Sequence, residues 1–325
     1  MRTVYLNGHF VPESEAKLSI YDLSVMQAAA AFEMTRSFNG RHFKLREHLE
    51  RLERSCALLS IPVDVPDVPA MTHGSARAIW SFMEVVESLC HEVSRLNDHG
   101  PGEEHRLLIV VSPGCAPMYK DLEGVIPHPF VYIADFPLRY TVAGFGKYFT
   151  EGVHCVTSDI QQVPDACVPS AAKHRSRLHF HLAQQQAPPG TWPIIKSQWG
   201  YLTEAPGANL VMVRKGKVWV QRFNALQGIS LQAVQELTLT ENTFSWNCDQ
   251  MPDELWLTGT PFCMLPVASL DGKPIGDGTP GPVYRETLAK WSELVGLDIQ
   301  QQICDWDSPS RLWTPDAQRL STAQH

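Results

Sequence analysis

No stretch of this 325-residue chain approaches the roughly 20 consecutive apolar residues that a membrane-spanning helix needs. Long basic runs are missing too, and with a formal net charge of -8 the chain has no surface suited to a nucleic-acid backbone. Cys-x-x-Cys pairs are absent: the eight cysteines, at 56, 90, 115, 155, 167, 248, 263 and 304, stand singly and have no histidine at zinc-finger spacing. They read as reduced, mostly buried thiols, and no metal is expected. The opening residues MRTVYLNGHFVPES lack the apolar centre of a secretory signal, so a cytoplasmic location is expected.

What remains is an ordinary globular composition, 44% apolar and 19% charged, which rules out disorder and leaves a folded enzyme or binding protein. The length exceeds that at which one core usually stops growing, so two domains sharing a cleft are expected. Residues 4–6 and 9–11 flank Asn7-Gly8, and residues 32–38 and 42–45 flank Asn39-Gly40, which predicts two hairpins. Leu45, Leu49, Leu52, Cys56 and Leu59 recur at helical spacing. A second helix is expected over 75–96, with Ile79, Trp80, Met83, Val86, Leu89, Cys90 and Val93 inward, broken by Asn97-Asp-His-Gly-Pro-Gly102. Buried strands are expected at 107–111 and 130–134.

These pieces make an α+β first domain over 1–136. Residues 137–147, with two glycines and no clear period, read as a linker. A larger domain over 148–304 follows, with strands at 209–213, 218–221 and 254–257 and helices at 176–187, 230–237 and 283–296. A polar tail occupies 305–325.

Helix N-termini normally collect acids, yet the helix expected after Pro169 opens with Lys173, His174, Arg175 and Arg177. Either these cations are solvated, or the place hosts an anion or an activated lysine. Leu226-Gln-Gly228-Ile229-Ser230 leads into a helix whose first amides could meet an anion, and Thr258-Gly259-Thr260 follows a strand as a turn that could form an anion nest. By themselves, Glu204 before Ala-Pro-Gly reads as a solvated acid, and Arg51 as a surface charge paired with Glu47 or Glu50.

Taken in order, these segments resemble the class IV, fold-type IV aminotransferases, a group that includes branched-chain and D-amino-acid aminotransferases and aminodeoxychorismate lyase. The matching runs are Phe32-Glu33 with Arg36 and Asn39-Gly40, His48-Leu-Glu-Arg51-Leu52, the Lys173 segment, Gly200-Tyr-Leu-Thr-Glu204-Ala-Pro-Gly-Ala-Asn209, Leu226-Gln-Gly-Ile-Ser230, Thr258-Gly-Thr260 with Pro266-Val267, and Ile275-Gly-Asp-Gly-Thr-Pro-Gly-Pro282. They span nearly everything up to residue 300. The resemblance implies pyridoxal 5′-phosphate as cofactor and Lys173 as the Schiff-base lysine and proton carrier. It implies Glu204 at the pyridine nitrogen and Arg51 on the phosphate, joined by Gly228, Ile229, Ser230, Gly259 and Thr260. Small amino and oxo acids would be the partners, and a twofold homodimer the assembly.

Several positions depart from that pattern. Gln27-Ala28-Ala29-Ala30 stands where the family has Tyr-Gly-Asp-Gly, in a stretch implied to line the substrate pocket. Leu178 replaces the tyrosine of branched-chain enzymes, and Lys173-His174 with Arg177-Leu178 is closer to the lyases. Pro261 has no amide to offer a substrate carboxylate. Poor activity is expected with leucine, valine and D-alanine, and better activity with a donor whose acid group reaches Arg36 or Arg106. An aminotransferase is the leading expectation. A lyase of the aminodeoxychorismate type and a non-catalytic scaffold are the alternatives.

Overall fold

A computed structural model describes residues 1–63, 81–100, 102–248 and 251–307. The first hairpin forms where Asn7-Gly8 places it, pairing Thr3–Leu6 with His9–Pro12, and both turn residues take the left-handed backbone that the turn requires. The second hairpin is shorter than expected. Only Ser37–Phe38 and Arg41–His42 pair across Asn39-Gly40. Ala31–Met34 instead runs antiparallel to His105–Ser112, because the Thr35 and Arg36 side chains are drawn fully into the interior and interrupt the strand between the two pairings.

Two sheets organise the chain. A five-stranded antiparallel sheet has the order His9–Pro12, Thr3–Leu6, Phe130–Pro137, His105–Ser112 and Ala31–Met34. Leu45–Leu58 and Phe82–Asn97 pack on it through Leu49, Leu52, Cys56, Val86, Leu89, Cys90 and Val93. Ser81 and Glu84 form a capping box that starts the second helix there; Ile79 and Trp80 lie outside the described residues.

Among the described residues the second sheet has nine strands. Its spine is Lys217–Gln221, Ala208–Arg214, Glu254–Gly259, Cys263–Leu270, Val153–Gln161 and Thr191–Lys196, with parallel pairing among the last three. Val153–Gln161 and Thr191–Lys196 carry no clear strand signal, since VHCVTSDIQ and TWPIIK mix polar and apolar positions without a clean alternation. Ile229–Thr238 and Pro282–Val295 cover this sheet and start within one residue of their expected positions.

Three expectations need correction. Residues 137–147 are a packed connection: Arg139–Val142 is a short helix, Leu138 and Val142 are wholly buried, and the Gly144 and Gly146 amides each donate to the Asp307 carboxylate at 2.6 Å. The polar tail starts later than 305, because the helix Ile299–Trp306 buries Trp306; residues 308–325 lie outside the described part. The helix after the lysine is Leu178–Gln186, so Lys173 precedes it by a full turn and sits in extended backbone instead.

Candidate active site

That extended backbone positions the lysine. His174 bridges to Ala31, the Phe32 amide donates to the Lys173 carbonyl at 3.0 Å, and the Arg175 amide donates to the Ala30 carbonyl at 2.9 Å. The Lys173 amide itself donates to Ser55 Oγ at 3.0 Å. The segment is thus laid along the edge of the first sheet, and Lys173 Nζ rests 4.8 Å from the centre of the Phe32 ring. Burial and the nearby Arg51 and Arg177 guanidiniums lower its pKa to about 7.

Two cavities meet at this amine. One is lined by Arg51, Glu204, Asn209, Gly228, Ser230 and Gly259, among others. The other, of about 570 Å³, is lined by Phe32, Arg106, Arg175, Trp192, Pro261 and Phe262, among others. Lys173, Arg177, Gly207 and Thr260 line both.

Arg51 is buried in the wall of the first cavity, and neither Glu47 nor Glu50 pairs with it. Its Nε and Nη2 donate to the two oxygens of Glu33 at 2.7 and 2.8 Å, and Nη1 donates to the Gln227 carbonyl at 2.9 Å. His48 Nδ1 meets the same carboxylate at 2.7 Å. Of the five guanidinium N–H groups, two remain for a ligand in the cavity.

The same cavity carries three further features suited to the cofactor. Ile229–Thr238 begins with Gly228 at its N-cap and no capping side chain, so its first amides stay open toward the cavity. A Cβ on Gly228 would overlap Asn209 Oδ1, and one on Gly259 would lie 2.8 Å from the Gly207 carbonyl, so both close approaches require glycine. His174 Nδ1 and His179 Nε2, both on this wall, are buried and have no hydrogen-bond partner among the described residues. An anionic phosphate fits this donor set.

Glu204 is buried beneath the cavity. Its Oε1 accepts from Gln162 Nε2 at 2.8 Å and from the Leu226 amide at 3.3 Å. Burial raises its pKa to about 7, so it gains most from a proton or a cationic N–H placed against it. A protonated pyridine supplies such a group, and the residues present therefore fit pyridoxal 5′-phosphate.

The substrate residues expected from sequence divide. Arg106 and Pro261 line the larger cavity; Gln27, Ala28 and Arg36 line neither. Gln27 is exposed, and Ala28 takes a left-handed φ of 53°. Arg36 is consumed by the protein: it donates to the Pro261 carbonyl at 3.0 Å, to Cys263 Sγ at 3.3 Å and to Gln302 at 2.9 Å, with its guanidinium 3.9 Å over Phe38. It clamps the Pro261 turn from behind. Glu33 and Asn209 stand in matching runs without a role assigned to them, and Gln162 and His179 carry no sequence signal that singles them out.

Comparison with known proteins agrees with this geometry. Residues 30–270, well over half of the chain, match the family model for amino-transferase class IV. A branched-chain-amino-acid aminotransferase of Salmonella typhimurium is 26% identical over 90% of this chain and 96% of its own. A D-alanine aminotransferase of Staphylococcus haemolyticus is 22% identical over 91% and 98%. The structure of the branched-chain amino acid aminotransferase of Thermobaculum terrenum in its PLP-bound holo form superposes with a TM-score of 0.71 at 19% identity, covering 93% of this chain and 96% of that one.

Proposed function

Because this chain belongs to the class IV amino-transferases, a fold-type IV enzyme family whose cofactor is pyridoxal 5′-phosphate, we propose that it moves an amino group between a small amino acid and a 2-oxo acid, with Lys173 as the covalent anchor and proton carrier. The observation that carries this reading is the placement of Lys173 Nζ at the junction of the two cavities, half-buried and with its pKa lowered to about 7. When bound, the cofactor supplies an electron sink beside the carbon that loses its proton. An amine that is partly neutral near pH 7 can take that proton and return it, which an ordinary lysine near 10.4 does poorly.

The remaining roles follow from contacts. Arg51, held rigid by Glu33, and the open amides at Gly228, Ile229 and Ser230 would grip the phosphate, with Gly259 and Thr260 closing the far side. Glu204, fixed by Gln162, would face the ring nitrogen. Arg106 is fixed by the Thr35 carbonyl at 3.1 Å and the Thr141 hydroxyl at 2.9 Å, and would meet an acidic group on the substrate.

Two domains are proposed, one on each sheet, meeting at this cleft, with 137–147 as their packed connection. A twofold homodimer is proposed through the loops around Tyr21 and Tyr119, whose ring centres lie 4.7 Å apart and which expose Ile20, Val25, Met26, Met118 and Leu122. Sedimentation at the mass of one chain in the active enzyme would exclude it. A cytoplasmic location is proposed from the free state of all eight cysteines.

Borohydride reduction of the holoenzyme followed by peptide mass mapping tests the central assignment. The cofactor is expected on Lys173. Its recovery on another lysine sinks the reading.

A further inference from the structure

The first sheet carries a buried acid that the reaction above does not use. Asp135 is wholly buried, and no lysine or arginine pairs with it among the described residues. The groups that face it are imidazoles. His105 Nδ1 lies 2.8 and 2.9 Å from its two oxygens, and His99 Nε2, a buried atom with no other partner among the described residues, lies 3.2 Å from Oδ1. His42 closes the group, its ring set edge-on to that of His105 at 4.5 Å between centres. One ligand atom each from His42, His105 and Asp135 lie within 4.8 Å of one another.

A buried carboxylate needs a compensating cation, here either a proton on one of these rings or a metal ion where they meet. Three features favour the ion. Donors held at about 2.0 to 2.2 Å from one ion lie roughly 3.3 to 4.4 Å from each other, a spacing these side chains reach with small adjustments. The histidines also come from separate elements, the strand Arg41–His42, the loop after Phe82–Asn97 and the strand His105–Ser112, so the fold and not local sequence assembles them. His105 pairs with Pro137 and Leu107 with Asp135, which sends the His105 and Asp135 side chains to one face. Finally, His42 is held through both ring nitrogens, by Thr35 Oγ1 at 2.9 Å and Ser94 Oγ at 3.0 Å. One nitrogen can turn to an ion while the other bond keeps the ring oriented, as metal-bound histidines require.

We propose that His42, His99, His105 and Asp135 form a structural site for a divalent transition-metal ion, with Zn²⁺ the best match to three imidazoles and one carboxylate. The ion ties the Asn39-Gly40 hairpin and the 98–100 loop to two strands of the first sheet. None of the four residues lines either cavity at Lys173, so the site stands independently of the transaminase reading. Scattered at 42, 99, 105 and 135, the ligands have no motif spacing, which is why no metal is expected from the sequence.

The test adds Zn²⁺ to the chelator-treated holoenzyme and follows binding by calorimetry and the thermal midpoint. Wild type is expected to take up one Zn²⁺ per chain and to melt higher with it. Ca²⁺ and Mg²⁺, which prefer oxygen shells, are expected to leave the midpoint unchanged. Asp135→Asn and His99→Gln should each weaken Zn²⁺ binding at least ten-fold and abolish the shift. Co²⁺ in place of Zn²⁺ should give the intense visible bands of tetrahedral coordination without a thiolate-to-metal band. Substoichiometric uptake overturns the proposal, as does Zn²⁺ affinity that either variant leaves unchanged; a thiolate band assigns the ion to cysteines and overturns it too. Should Asp135→Asn fail to fold, His99→Gln decides alone, because His99 sits in a loop and its replacement removes a ligand without opening the core.

Discussion

Glu33 and Arg51, 18 residues apart in sequence, form a two-point ion pair at 2.7 and 2.8 Å behind the wall of the first cavity, and both are almost wholly buried. The surrounding guanidinium and imidazole hold the Glu33 carboxyl well below the usual range. Its contribution to stability is therefore complete above the unfolded carboxylate pKa and is lost as pH falls through the depressed folded value.

Removing one partner should be costly in two separable ways. Arg51→Ala leaves Glu33 buried without its charge partner, which typically costs about 3 to 5 kcal/mol of stability, and it also weakens cofactor retention. Pairing Arg51→Met with Glu33→Leu should restore much of the apoprotein's resistance to urea, because a buried ion pair is often replaceable by apolar side chains, while cofactor retention stays poor. Arg54→Ala, on the exposed face of the same helix, should change little. A double variant that binds cofactor as tightly as wild type would return Arg51 to a purely structural role.

This pair marks the limit of what can be read from the chain alone. Helical spacing locates Leu45–Leu58 but assigns Arg51 to a solvated flank, because local pairing with Glu47 or Glu50 is all that neighbouring residues offer. One signal is present: His48, Arg51 and Ser55 recur at the same spacing as the buried Leu45, Leu49, Leu52 and Cys56, so polar groups share the inward face. What no periodicity can supply is the acceptor, Glu33, which reaches the helix only because Ala31–Met34 joins the sheet beneath it. Turn chemistry, by contrast, is local, and Asn7-Gly8 and Asn39-Gly40 turn where expected. Arg36 escapes a sequence reading because its contacts are remote. Its partners at Pro261, Cys263 and Gln302 lie more than 220 residues away along the chain.

The apoprotein should show a stability minimum near neutral pH that comes from the site itself. Folded Glu204 keeps its proton up to about pH 7 against an ordinary 4.5, so stability falls between those values as the unfolded chain releases its proton first. Folded Lys173 gives up its proton at about 7 against an ordinary 10.5, so stability rises again between 7 and 10.5. Urea midpoints of the apoprotein across this range should trace the trough. Glu204→Gln should remove its acid side, and Lys173→Met its alkaline side, with Lys173→Met more stable than wild type at pH 6 by roughly 1 to 2 kcal/mol, since strained functional groups trade against stability. Superimposable pH profiles for wild type and Lys173→Met would show that Lys173 titrates normally.

Pro261 offers the sharpest test of whether the larger cavity takes the substrate. It lines that cavity next to Thr260, its carbonyl is held by Arg36 Nη1 at 3.0 Å, and its nitrogen carries no hydrogen. Pro261→Ala restores an N–H without disturbing the carbonyl that Arg36 holds, so the turn should stay in place, at a cost of about 0.4 to 1 kcal/mol in chain stiffness. A hydrogen bond from that amide to a substrate carboxylate is charge-assisted and worth roughly 1.5 to 3 kcal/mol. By the conversion of about 1.4 kcal/mol per factor of ten, kcat/KM for leucine or D-alanine should rise at least about ten-fold in Pro261→Ala. Donors with a second acid should gain less if Arg106 meets that acid as proposed, because they would already have a cationic anchor. The gain should appear in KM if the bond forms equally in bound substrate and transition state, and in kcat if it strengthens during reaction. A variant that folds, keeps its cofactor and shows unchanged kcat/KM for leucine would mean that the amide at 261 does not face the carboxylate, and that the missing donor does not explain the selectivity of this cavity.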